Sequence, residues 1–177
     1  MTSSVDVLIV FYNSERFIGP LLESLRGISI PFTAYFLDNG SRDSTAERLA
    51  SALPTLPFPA FLFRSLKNNG FARGVNLLVR QGTGDFMFIL NPDTQLESGS
   101  LEKLLARGES DAAIGICEAR QWPREHPKSY EAATGETTWC SGAASLVRRR
   151  AFEGLGGYDE RLFFMYCERR SLRAIRL

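Results

Sequence analysis

VDVLIVFYNSERFIGPLLESL, residues 5–25, changes its periodicity part-way through. Its first eight residues are almost continuously apolar, which predicts a strand over 5–12 buried on both faces of a parallel sheet. Asn13 and Ser14 are cap-type residues, and after them Phe17, Ile18, Leu21, Leu22 and Leu25 recur at helical spacing. Gly27 is placed to stop that helix. A buried strand running straight into an amphipathic helix is the opening unit of an α/β sheet.

The unit repeats outward from there. Strands are predicted at 32–37, 60–64, 85–90 and 112–117, and helices at 43–52, 70–81 and 101–107, with Ser41 or Asp43 near the cap of the first of these helices. Pro54, Pro57 and Pro59 stiffen one connection. The pattern fades over 118–138, a polar stretch with Pro123, Pro127 and Gly135 that reads as a long loop. A strand at 139–147, a short helix at 149–154 and a Gly156-Gly157 turn follow. The expected fold is a single α/β domain, its sheet mostly parallel with helices on both faces. Ligands on such sheets collect at the carboxyl ends of the strands. Four polar segments fall there: Asn13-Ser14-Glu15, Asp38-Asn39-Gly40-Ser41, Asn68-Asn69-Gly70 and Asn91-Pro92-Asp93.

Composition narrows the function. In 177 residues, 21 basic and 20 acidic side chains nearly cancel, so no bulk attraction to nucleic acid is expected. The apolar run at 7–11 is too short for a signal-peptide core, and no stretch is long enough for a membrane span, so a cytosolic protein is expected. Cys117, Cys140 and Cys167 are odd in number and read as inert reduced thiols, while His126 alone excludes a multi-histidine metal centre. Arg148-Arg149-Arg150 reads as a solvated helix start. The glycine fingerprint of dinucleotide folds is absent after the first strand, as is a phosphate-binding P-loop. What remains at the strand ends is carboxylate, amide and hydroxyl. Asp38 can accept from a base N–H or a ribose hydroxyl. Asp93 is a hard oxygen ligand, suited to a divalent ion that also holds two phosphates. The plain alternatives are an Asn-Gly turn at 38–40 and a helix cap at Asp93.

Four blocks, VLIVFYNSERFIGPLLESL (7–25), FLDNGSRDST (36–45), NNGFARGVNLLVRQGTGDFMFILNPDT (68–94) and SGAASLVRRRAFEGLGGYDERLFFMYCE (141–168), together resemble bacterial family 2 glycosyltransferases of the GT-A fold, especially the branch containing rhamnosyltransferases. The resemblance implies a nucleotide-sugar-binding part over 1–97 and a partial acceptor-side part over 98–177. It implies that Tyr12, Asn13 and Glu15 contact the nucleotide, that Asp38 reads a pyrimidine base, and that Asn39, Gly40 and Ser41 belong to that turn. Asn69, Gly70, Phe71 and Asn76 belong to the block that closes over the nucleotide. Asn91, Pro92 and Asp93 stand at the family's DxD-type motif, with Asp93 as ligand for Mg²⁺ or Mn²⁺, and Gly142 lies near the donor sugar. The implied donor is a dTDP- or UDP-linked sugar. The implied acceptor is a saccharide or a lipid-linked saccharide in cell-surface polysaccharide synthesis, compatible with peripheral attachment to the inner face of the membrane. Nothing in the chain specifies an oligomeric state.

The pattern breaks after Tyr166. An inverting transferase needs a base for the acceptor hydroxyl. Where the resemblance implies an aspartate, this chain has Arg169, and an arginine stays protonated at neutral pH. Glu168 and Asp159 are the acids left to serve. The chain ends at Leu177 within an expected helix, and is expected to be truncated or altered near residue 169. Three readings follow: an active sugar transferase, a nucleotide-sugar-binding fragment or pseudoenzyme without turnover, and a nucleotidyltransferase. The last is disfavoured because Tyr12-Asn13-Ser14-Glu15 stands where a Gly-rich basic loop is required.

Overall fold

The computed structural model describes residues 3–125, 127–161 and 174–176. Its elements in chain order are β1 (Val5–Phe11), α1 (Ile18–Arg26), β2 (Thr33–Asp38), α2 (Thr45–Ala52), β3 (Ala60–Arg64), α3 (Phe71–Val79), β4 (Phe86–Leu90), α4 (Ser100–Ser110), β5 (Ile116–Glu118), β6 (Glu136–Thr137), β7 (Ala144–Arg148), α5 (Arg149–Gly154) and β8 (Ala174–Arg176). The strands form one sheet in the order β3-β2-β1-β4-β7-β5-β8-β6. β3, β2, β1 and β4 are parallel, and β7 then enters antiparallel between β4 and β5.

The apolar run of β1 is buried on both sides, and its period of two divides it between two cores. Val5, Val7, Ile9 and Phe11 face α1 and α4, joined by Phe86, Phe88 and Leu90 of β4. Leu8 and Val10 face α3 and α5, joined by Met87 and Ile89. Helices therefore cover both faces, as the alternation of elements predicts. No helix among the described residues is long and apolar enough to cross a membrane.

Several boundaries differ from expectation for local reasons. α1 starts at Ile18 without a side-chain cap, because the Ser14 hydroxyl donates to the Tyr12 carbonyl and Asn13 sits at φ 49°. α2 starts at Thr45, after the Asp43 carboxylate has bonded the Thr45 N–H, and Ser41 faces Asn13 instead. β5 starts only at Ile116, after a turn in which the Ile114 N–H donates to the Asp111 carbonyl at 3.1 Å. β7 starts at Ala144 because Gly142 holds φ 87°, outside the extended region. Residues 174–176, expected within a helix, instead form β8, parallel to β5.

The arginine triplet is not a solvated helix start. Arg148 donates to the carbonyls of Ile114, Gly108 and Asp111 and lies over the Phe86 ring. Arg149 donates to Gly84 O at 2.6 Å and to Val79 O, the last residue of α3, at 3.0 Å. Its other nitrogen meets the buried Asp6 carboxylate at 2.7 Å. The β7–α5 junction brings these guanidinium groups to carbonyls at the ends of α3 and α4 and in the segments before β4 and β5, where a fork of donors satisfies several at once. Arg150 remains exposed and reaches Ala112 O.

Candidate active site

The carboxyl ends of β1, β2 and β4 lie side by side, so the loops that follow them share one edge of the sheet. Backbone bonds extend the ladders past the strands: Asn39 N–H donates to Phe11 O and Ser65 N–H to Asp38 O, both at 2.8 Å. Gly40 then turns sharply at φ 78°, and a Cβ there would lie 2.5 Å from the Lys67 carbonyl carbon. Only glycine fits that close approach.

Most of the predicted polar residues hold these loops to one another. Asn13 N–H donates to Ser41 Oγ at 3.0 Å, and Asn13 Oδ1 accepts from Arg42 N–H at 2.9 Å. Glu15 accepts from Ser44 N–H through its carboxylate and from Arg48 through its carbonyl. Asn39 is buried; its amide donates to Asn68 Oδ1 and Gly70 O and accepts from Asn69 N–H. Asn69 donates to Ser65 Oγ and Lys67 O. Gly70 starts α3 at φ 83°, its N–H held by Asn68 Oδ1. Phe71 packs half-buried on the second core. The structure does not bring the Asn76 amide to this edge: it donates to Tyr158 O at 2.8 Å and to Glu160, and accepts from Tyr158 N–H. Asn68, from the strand-end segment noted in the sequence, and Asp43, expected there near a helix cap, belong to the same stitching. Burial pushes the Asp43 carboxyl up, but bonds from Thr45 and from the Glu15 N–H outweigh it and hold the group below the usual carboxylate value.

Three residues keep chemistry in hand. Tyr12, just past the end of β1, is 42% exposed. Asp38 is 3% exposed; one oxygen accepts from Ser41 N–H at 3.1 Å and the other is 3.9 Å from Arg64 Nε. Asp93 is exposed, and among the described residues no hydrogen bond or ion pair reaches its carboxylate. It caps no helix, since α4 begins only at Ser100. The turn that carries it is firmly held: Thr94 N–H donates to Asn91 O, with Pro92 between them, and Asn91 N–H donates to Ala143 O at 2.8 Å. Ser141-Gly142-Ala143 thus lies against the Asp93 turn. A divalent ion fits here on one condition. Among the described residues no three metal-ligating side chains cluster, so Asp93 would hold an ion that takes its other ligands from a bound diphosphate and water.

Of the two acids considered as base, Glu168 lies outside the described residues, as does Arg169. Asp159 is clamped by Arg161, with contacts of 2.9 Å and 2.6 Å, and this pairing pulls its pKa down to about 2. A carboxylate so held is a weak proton acceptor. Cys117 is buried, which raises its thiol to about 11, and Cys140 is buried too; Cys167 and His126 fall outside the described residues. A cavity of about 790 Å³ opens at the opposite edge, between the amino ends of β1 and β2, where Asp6 is already committed to Arg149 and Gly84 N–H.

The family model for glycosyl transferase family 2 matches residues 6–168. The chain belongs to this family. Over 95% of its length this family member is 28% identical to the N-acetylglucosaminyl-diphospho-decaprenol L-rhamnosyltransferase of Mycobacterium tuberculosis, and it spans 68% of that protein. Among solved structures, it superposes on S. aureus TarS 1–349 with a TM-score of 0.80 at 18% identity, covering 98% of this chain and 58% of TarS. It also superposes on the mannosyltransferase PcManGT from Pyrobaculum calidifontis, solved with GDP-Man and Mn²⁺, with a TM-score of 0.80 at 19% identity, covering 100% of this chain and 55% of that one. At these identities the likeness shows the shared GT-A fold. The chain therefore spans little more than half of the solved chains it matches. The nucleotidyltransferase reading is set aside by the family match.

Proposed function

We propose that this member of glycosyl transferase family 2 moves a sugar, with inversion, from a dTDP- or UDP-linked donor to a saccharide or lipid-linked acceptor in cell-surface polysaccharide synthesis. The observation that carries the proposal is the row at the sheet edge: exposed Tyr12, buried Asp38 and Asp93, unpartnered among the described residues, on loops that most of the other polar residues fix in place. In this reading the Tyr12 ring stacks on the base and Asp38 accepts from its N–H or from the ribose. The Asn13, Asn39 and Asn69 amides keep the crevice in shape before substrate arrives. Asp93 would hold a divalent ion, which would supply Lewis-acid stabilisation of the charge on the leaving diphosphate. The acceptor oxygen bonds to the anomeric carbon as the bond to the diphosphate breaks, and the hydroxyl proton passes to a carboxylate. With Asp159 held by Arg161, Glu168 is the base we assign.

The donor class is supported by the relatives. TarS has been solved with UDP and with UDP-GlcNAc, and the mycobacterial relative is a rhamnosyltransferase whose name specifies a lipid-linked acceptor. We place the protein on the cytoplasmic side, peripheral to the membrane that carries such an acceptor. A second reading, nucleotide-sugar binding without turnover, is favoured by the clamped Asp159 and by Arg169 at the base position. Calorimetry with UDP and dTDP, with and without Mn²⁺, followed by donor hydrolysis, decides. Metal-dependent binding that Asp93→Ala weakens at least tenfold is expected. No binding to either diphosphate would overturn both readings, and binding without hydrolysis or transfer would select the second.

A further inference from the structure

β5 ends on a carboxylate, Glu118, that the sequence reading assigned no role. Its side chain is 2% exposed, and so is that of its partner Lys128, from the middle of the long loop. The Lys128 ammonium also lies 4.5 Å from the centre of the Trp139 ring. The second Glu118 oxygen accepts from both the N–H and the hydroxyl of Ser141, and Gln121 donates to the same hydroxyl. One residue past Gly142, the Ala143 carbonyl accepts from Asn91 N–H and from Thr94 Oγ1, on either side of Asp93. An unbroken bonded path therefore runs from Lys128 through Glu118 and Ser141-Gly142-Ala143 to the turn that carries Asp93.

Placement gives this path a direction. Along the sheet edge the strand ends occur in the order β2, β1, β4, β7, β5, which sets Asp38, Tyr12, Asp93, Ala143 and Glu118 in a row. Adjacent strands are about 4.8 Å apart, so the row is about 19 Å long, on the scale of an extended nucleoside diphosphate with one sugar attached. With the base at Asp38 and the diphosphate at Asp93, the Glu118 end falls where the sugar lies. The side chains of Glu118 and Lys128 are too deeply buried to touch it, but Ser141 and Ala143 are partly exposed. A buried ion pair is a costly way to gain stability, since desolvation offsets much of the attraction. It is well suited to fixing one backbone conformation.

Resting on the nucleotide-sugar reading above, we propose that Glu118 and Lys128 form a positioning pair that fixes the 141–143 segment and thereby sets how the sugar of the donor, as distinct from its nucleotide, is held. The full chain, its E118Q/K128M double variant and Ser141→Ala are compared by calorimetry with Mn²⁺, using UDP, dTDP, UDP-glucose, UDP-N-acetylglucosamine and dTDP-rhamnose. The double variant removes both charges together and so leaves neither buried alone; Ser141→Ala keeps the pair and removes one of its bonds. Circular dichroism establishes that each is folded. The readout is the affinity of each sugar nucleotide divided by that of its parent diphosphate. For at least one sugar this ratio is expected to change about tenfold in the double variant and by a smaller factor in Ser141→Ala, with diphosphate affinities within twofold of wild type. Unchanged ratios for all three sugars, or equal losses of diphosphate and sugar-nucleotide affinity, would overturn the positioning role while leaving the nucleotide site standing. A wild-type chain that binds no diphosphate would overturn both.

Discussion

Asp38 and Asp159 are both strand-end or turn carboxylates, and their surroundings give them opposite uses. Asp38 is buried with one modest hydrogen bond and a loose contact to Arg64, so it has capacity for a ligand donor. Asp38→Asn is expected to weaken UDP or dTDP binding by about 2 kcal/mol, the scale of one lost hydrogen bond to a charged group, with the melting temperature little changed. Asp159 is spent on Arg161. Its pKa is depressed to about 2, so the pair favours the folded state above the ordinary carboxylate range and loses that contribution as the pH falls toward 2. A carbon-detected NMR titration should find this carboxyl still ionised at pH 3, and Arg161→Ala should return it toward the ordinary value. An unshifted titration in the arginine variant would show that the clamp is not the cause. The chemical types of these residues were legible in the sequence. Their division into ligand-facing and structural was not, because it depends on partners such as Tyr158 for Asn76, 82 positions away.

The elements divide in the same way. β1, α1, α3 and β4 could be placed from periodicity alone, because each is long enough to show its period and is buried accordingly. In the second half of the sheet the strand expected at 139–147 corresponds to β7 and the one at 112–117 meets β5 only at its end, while β6 and β8 could not be placed. β5 and β6 are only three and two residues long, and they exist through pairing with β7 and β8 rather than through local pattern. Arg148 and Arg149 read as solvated because a run of charge has no visible partner in a sequence; the partners are distant backbone carbonyls and the Asp6 carboxylate. The β2–α2 loop carries the sharpest local requirement. Gly40→Ala drives a methyl group into the 67–68 backbone at positive φ and is expected to cost about 1–3 kcal/mol. It should also weaken nucleotide binding, because Asn39 and Ser41 flank the turn. Chemical denaturation and calorimetry on the same variant measure both effects. A neutral outcome would mean that the 65–70 loop can withdraw without loss.

On the scale of the whole molecule, the Asp6–Arg149 pair joins the first strand to the fifth helix across 143 positions, with Asp6 also accepting from Gly84 N–H. Arg149→Met leaves that buried carboxylate without its cation and is expected to destabilise the fold by about 3 kcal/mol. Urea denaturation measures this, and a loss below about 1 kcal/mol would mean that water replaces the guanidinium.

The central place of β7 has a practical meaning as well. It arrives late in the chain yet lies between β4 and β5, strands that the chain has already laid down. The exposed residues 131–134 that precede it are the natural place for a cut. The two pieces of a chain nicked there should remain associated, the later one held like a wedge in a slot, and separately expressed halves should reconstitute nucleotide binding when mixed. The protein could then be used as a split reporter, its signal depending on whether two fused partners bring a missing strand back to the middle of a sheet.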